Sequence, residues 1–105
     1  MGLTIVPTLD LRERDLETLR RTFERFPFVR EVRVFGSRAA GGARPASDVD
    51  LAVWAPGATT GEWNDLVEAI EEAPIILGLD LVRRDEQTDP RLLARIEREG
   101  IRIWP

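Results

Sequence analysis

The chain has 105 residues, 43% hydrophobic and 32% charged, with a formal net charge of −4. That is the size of one ordinary domain and the balance of a soluble globular protein, and its sign argues against a nonspecific nucleic-acid binder. Cysteine and histidine are both absent, which excludes disulfides, Cys/His zinc sites, and Ser-His-Asp or Cys-His catalysis. Any metal must be held by oxygen ligands, which favours Mg²⁺, Mn²⁺ or Ca²⁺. With no tyrosine either, acid and base work near neutral pH falls to carboxylates. All fifteen basic residues are arginine. Codon bias accounts for that as readily as a need for phosphate-binding forks. No apolar run approaches the ~20 residues that cross a bilayer. The opening Met1 to Pro7 lacks a basic segment followed by a long apolar stretch, so a cytoplasmic location is expected.

Residues 10–26 read as a helix, with Leu16, Leu19, Phe23 and Phe26 at helical spacing and Asp10 as cap. Residues 29–35 read as a first strand, with Val32 and Val34 on one face. Gly36-Ser37 opens a turn, and residues 38–47 read as a short helical turn plus loop. Residues 48–54 form a second strand, broken by Pro56-Gly57. Thr60 caps a helix to Glu72 that buries Trp63, Leu66, Val67 and Ile70. Residues 75–83 read as a third strand interrupted by Gly78. Asp89-Pro90 starts a helix with Leu92, Leu93 and Ile96 inward, and Gly100 stops it. Ile101 to Trp104 close the chain as a short strand. The order predicts one domain over 1–105 of the α/β (α+β) class, a sheet covered by helices.

Asp48 and Asp50 flank Val49 in an apolar strand. Strand alternation points both carboxylates the same way, and a divalent cation would relieve their repulsion. The spacing fits equally a loop-capping Asp48 beside a solvent-facing Asp50. Gly36 lets backbone approach a ligand closely, and the amides and Ser37 hydroxyl that follow can cradle phosphate oxygens, with Arg38 adjacent. An ordinary tight turn is the plainer alternative. Asp80 lies between Leu79 and Leu81, where aspartate is unusual. It is either an edge residue paired with Arg83 or Arg84, or the third member of a carboxylate site suited to two-metal phosphoryl chemistry.

Val34-Phe35-Gly36-Ser37-Arg38-Ala39, followed by Ser47-Asp48-Val49-Asp50-Leu51, resembles the signature of the DNA polymerase β-like nucleotidyltransferase superfamily. The Gly-Ser to Asp-x-Asp spacing is similar to that of the minimal nucleotidyltransferases, antitoxin partners of HEPN-domain toxins. Leu79 to Val82 resembles the family's third acidic strand, and Ile96 to Trp104 its close. The resemblance implies a mixed sheet flanked by helices. It implies that Asp48, Asp50 and Asp80 are catalytic and bind metal, with two Mg²⁺ ions, and that Asp80 also serves as general base. It implies that Gly36, Ser37 and Arg38 hold the triphosphate of ATP. Ala40 stands where the family often carries a basic residue, and Arg44 is the candidate substitute.

The activity so implied is transfer of AMP from ATP to a protein hydroxyl, a tyrosine of a HEPN ribonuclease toxin. The chain would act as an antitoxin in a hetero-oligomer, with no nucleic acid or membrane as partner. The predicted elements leave no second domain to enclose a small substrate, which favours a macromolecular acceptor over an aminoglycoside-type one. A binding-only antitoxin is the other alternative. The helix over 60–72 carries Glu62, Asp65, Glu68, Glu71 and Glu72 without a basic residue. It is either a solvated face or a dock for a basic partner.

Overall fold

The computed structural model describes residues 9–105. The signal-free reading of Met1 to Pro7 lies outside the described residues. The elements run α1 (Glu13–Glu24), β1 (Glu31–Phe35), α2 (Ser37–Ala40), β2 (Val49–Trp54), α3 (Thr60–Glu72), β3 (Leu79–Arg84), α4 (Pro90–Glu99) and β4 (Ile101–Trp104). The four strands form one mixed sheet in the order β3-β2-β1-β4. β1 runs antiparallel to β2 and β4, whereas β2 and β3 are parallel, joined through α3.

Strand alternation divides the sheet into two unlike faces. Val32, Val34, Val49, Leu51, Val53 and Ile103 bury against Leu19 and Phe23 of α1 and Leu66 and Ile70 of α3. The other face presents Phe35 and Ala52 to Ile96 of α4, with Val82 and Leu92 alongside. This second layer is thin. It covers the middle of the sheet, and the last turns of α4 reach the end of β1, where Glu99 accepts from the Gly36 amide.

The expected helices and strands are all present, with shifted ends. α1 starts at Glu13 after Arg12, which makes no side-chain cap bond. Asp10 is therefore not its cap; its amide donates to Arg38 O at 2.8 Å instead. α3 is capped by Thr59 rather than Thr60. Thr59 Oγ1 accepts from the Glu62 amide at 3.1 Å, and the Glu62 carboxylate accepts from the Thr59 amide at 2.9 Å. This reciprocal pair satisfies two amides that a cap at Thr60 would leave open. In that helix Leu66 and Ile70 are buried as expected, while Trp63 and Val67 are only half-buried.

The third strand begins at Leu79, not at residue 75. The Ala73-Pro74 step ends α3, and Ile75 donates to Ala73 O at 2.7 Å in a bend. Ile75 and Leu77 pack on the core from this bend, and Ile76 between them is 93% exposed. An apolar run has no period of its own that separates a strand from such a bend. Asp89 caps α4 as expected, accepting from the Arg91 amide at 2.8 Å, with Pro90 in the first turn. Among the described residues, no helix is long and apolar enough to cross a membrane.

Candidate active site

The site lies at the end of the sheet where β1 finishes and β2 and β3 begin. β2 and β3 pair in a register that sets Asp50 opposite Asp80. Both follow an inward residue, Val49 and Leu79, so alternation turns both toward the α4 face. Asp48 precedes β2 by one position and lies across from Gly78, whose carbonyl accepts from the Val49 amide at 2.8 Å. A Cβ at Gly78 would collide with Asp48 Oδ1 and stand 3.0 Å from its Cγ. The missing side chain makes the room in which the Asp48 carboxylate sits.

The Gly36-Ser37 turn meets these acids from the end of β1. Phe35 is the register partner of Asp50, so Gly36 arrives directly beside it. Gly36 has φ +73°, and a Cβ there would collide with Asp50 Oδ2. Glycine is required twice, for the left-handed backbone and for the approach of the carboxylate. Its carbonyl accepts from the Ala39 and Ala40 amides at 3.0 and 2.8 Å, which fixes the turn into α2.

The charge placement leaves a mark on Asp50. Its carboxyl is raised above the ordinary 3.8, first by burial and then by Asp80, with Asp48 and Glu99 adding and Arg95 opposing. Three carboxylates thus converge on one face. In the conformation seen, no three acidic side chains among the described residues close around a common point. The donor chemistry still fits a hard divalent cation: oxygen ligands only, and like charges gathered at one sheet end.

Arg38 is used differently from the sequence expectation. Its side chain is only 7% exposed, and its guanidinium donates to the carbonyls of Asp10, Arg44, Pro45 and Ser47 at 2.9 to 3.3 Å. Asp10 Oδ1 lies 3.6 Å away. The arginine clamps the loop that delivers Asp48. Arg44, the substitute cation of the sequence reading, lies in that loop on the exposed surface.

Two residues at the site were missed from the sequence, Arg95 and Glu99 of α4. Glu99 Oε2 accepts from the Gly36 amide at 3.3 Å and from Arg95 Nε at 3.1 Å. Arg95 also lies over the Phe35 ring, 5.7 Å from its centroid. In the sequence they are merely an i,i+4 pair on a charged helix. Only the packing of Ile96 on Phe35 and Ala52 aims that pair at the turn.

A concavity lies at the opposite end of the same strands. It holds about 360 Å³ between Trp54 to Gly57 and Arg83 to Gln87. Its arginines are committed: Arg83 donates to Ala55 O and Ala58 O, and Arg84 pairs with Glu31 and Glu97 over Trp54. Asp48 and Asp80 are exposed, so the carboxylates stand on an open shelf.

The chain thus combines a mixed sheet with a glycine turn and three aspartates at one strand end. The polymerase β nucleotidyltransferase family model matches residues 17–105, and the chain belongs to that family. Solved structures of similar fold include a toxin–antitoxin complex with AMP-PNP, at 20% identity and TM-score 0.63, covering 86% of this chain and 73% of that one. A nucleotidyltransferase from Sulfolobus solfataricus is similar at 22% identity and TM-score 0.55, covering 86% and 76%. The tri-AMPylated Shewanella oneidensis HEPN toxin in complex with its MNT antitoxin is similar at 18% identity and TM-score 0.55, covering 90% and 72%. No curated protein matches the chain in sequence.

Proposed function

We propose that this protein transfers AMP from ATP to a hydroxyl of a protein partner, a tyrosine of a HEPN-type ribonuclease toxin, and so acts as its antitoxin. The observation that carries the reading is the Asp50–Asp80 register with Asp48 beside it, facing a glycine turn. Support for the acceptor comes from the fold's likeness to an antitoxin in complex with an AMPylated HEPN toxin. The open shelf fits an acceptor that supplies the missing wall.

The chain's residues divide the work. Asp48, Asp50 and Asp80 would hold Mg²⁺, which neutralises charge that develops on the attacking and leaving oxygens of phosphoryl transfer. Gly36 and Ser37 receive the triphosphate of ATP on the turn's amides and hydroxyl. Asp80, exposed at the outer strand, accepts the proton of the acceptor hydroxyl. The new O–P bond forms at the α-phosphorus as the bond to pyrophosphate breaks. Arg38 keeps Asp48 in place by clamping its loop.

The test is pyrophosphate release from ATP and Mg²⁺ with and without a candidate HEPN partner. Release that depends on the partner supports the reading. Equal release without it favours a small-molecule or water acceptor, and no release under either condition overturns the reading.

A further inference from the structure

Glu99 Oε2 is held by donors from two separate elements. One is the Gly36 amide at 3.3 Å, at the end of β1; the other is Arg95 Nε at 3.1 Å, on α4. A helical Arg–Glu pair needs no backbone amide from a neighbouring turn. Nor does it need to stand beside the Asp50 carboxylate. Here Gly36 supplies the amide, and Arg95 Nη2 lies 3.6 Å from the position a Gly36 Cβ would take, where that Cβ would also meet Asp50 Oδ2. The guanidinium lies over the Phe35 ring, 5.7 Å from its centroid, while 47% of the side chain remains exposed. A carboxylate oxygen thus sits in a seat made for an anion, one charged donor and one amide converging on it.

We propose that the Gly36 amide and the Arg95 guanidinium form a seat for the polyphosphate tail of the nucleotide, and that Glu99 fills this seat until the tail displaces it. The proposal rests on the nucleotidyl-transfer reading and adds to it the cation that Ala40 does not supply. A phosphate oxygen that enters where Glu99 Oε2 stands inherits both donors. The released carboxylate has another partner within reach, since Arg98 Nη2 is 4.0 Å from Glu99 Oε1. The arrangement also answers a charge problem. A polyanion arriving at three carboxylates needs a positive group at the turn, and Arg95 is placed there by α4.

Calorimetric binding of MgATP and of AMP to the wild type, Arg95→Gln and Glu99→Gln tests the seat, with thermal unfolding of each variant as control. AMP lacks the β- and γ-phosphates and so does not reach it. Arg95→Gln is expected to weaken MgATP about tenfold, the loss of one charge-assisted contact, and to leave AMP within about twofold. Glu99→Gln is expected to tighten MgATP a few-fold, because no charged group then competes for the seat. MgATP affinity unchanged in Arg95→Gln, equal losses for MgATP and AMP, or weaker MgATP binding in Glu99→Gln overturns the assignment. A pair with only a structural role would lower the unfolding temperature and move both affinities together. Absence of MgATP binding by the wild type removes the nucleotidyl-transfer reading itself, and the seat with it.

Discussion

Asp50 and Asp80 are direct partners across the parallel β2–β3 pair, and their carboxylates share one face of the sheet. That is a costly place for two like charges. Burial and then Asp80 raise the Asp50 carboxyl, with Asp48 and Glu99 adding to the effect. A carboxyl raised in the fold contributes stability that is fully present below its unfolded value. That stability is lost as pH rises through the folded one. At neutral pH without metal, the site therefore strains the fold it stands on.

Replacing Asp50 with Asn removes that strain. In chelator at pH 7, Asp50→Asn is expected to unfold at higher temperature than the wild type. The gain should shrink as pH falls below the ordinary carboxylate value, where both proteins are neutral at this position. Mg²⁺ should stabilise the wild type and not the variant. A variant that melts lower than the wild type at pH 7 in chelator would count against the charge account.

Gly78→Ala separates the site from the fold. Gly78 sits before β3 at an exposed position, and the atoms nearest to a Cβ there belong to the Asp48 carboxylate. Displacing that carboxylate should leave the unfolding free energy within about 1 kcal/mol of wild type, as for most surface changes. Stabilisation by Mg²⁺ should fall or vanish. Thermal scans with and without the ion decide it, and an unaltered ion response would show that Asp48 is not held where Gly78 leaves room.

Gly36→Ala should damage both. The left-handed backbone alone costs a non-glycine residue about 1–2 kcal/mol, and the added carbon also meets Asp50 Oδ2. Denaturant unfolding should show at least that loss, together with failure to bind MgATP. Wild-type binding in this variant would remove the turn from the site.

Arg38→Ala distinguishes a clamp from a phosphate contact. Loss of the guanidinium leaves the carbonyls of Arg44, Pro45 and Ser47 without their donor. An acceptor stranded in this way costs about 1–3 kcal/mol. The clamp predicts a fall in stability first and weaker MgATP binding only as a consequence. Unchanged stability with a large loss of MgATP affinity would instead place Arg38 on the phosphates.

Much of this was legible in the sequence because alternation is a strong local rule. The Val49-Asp50-Leu51 alternation sets the face of Asp50, whereas Asp80 between two leucines fits an edge residue as well as a third carboxylate until the β2–β3 register sets it opposite Asp50. The Gly36-Ser37 turn announced itself by residue type. What stayed hidden depends on contacts between elements. Arg95 and Glu99 look like any surface pair until Ile96 seats α4 on Phe35 and Ala52. Arg38 looks free until the 44–47 carbonyls fold around it. The start of β3 was misplaced because Ile75 to Leu77 are apolar for the sake of a bend, not a strand.

The most direct test of the account is the intact mass of a HEPN-type partner after incubation with ATP, Mg²⁺ and this protein. The account predicts a gain of one or more AMP units with the wild type and none with the Asp48→Asn, Asp50→Asn double variant, whose fold persists. An unmodified partner that is nonetheless inhibited by both proteins would contradict it, and would make this an antitoxin that works by binding alone.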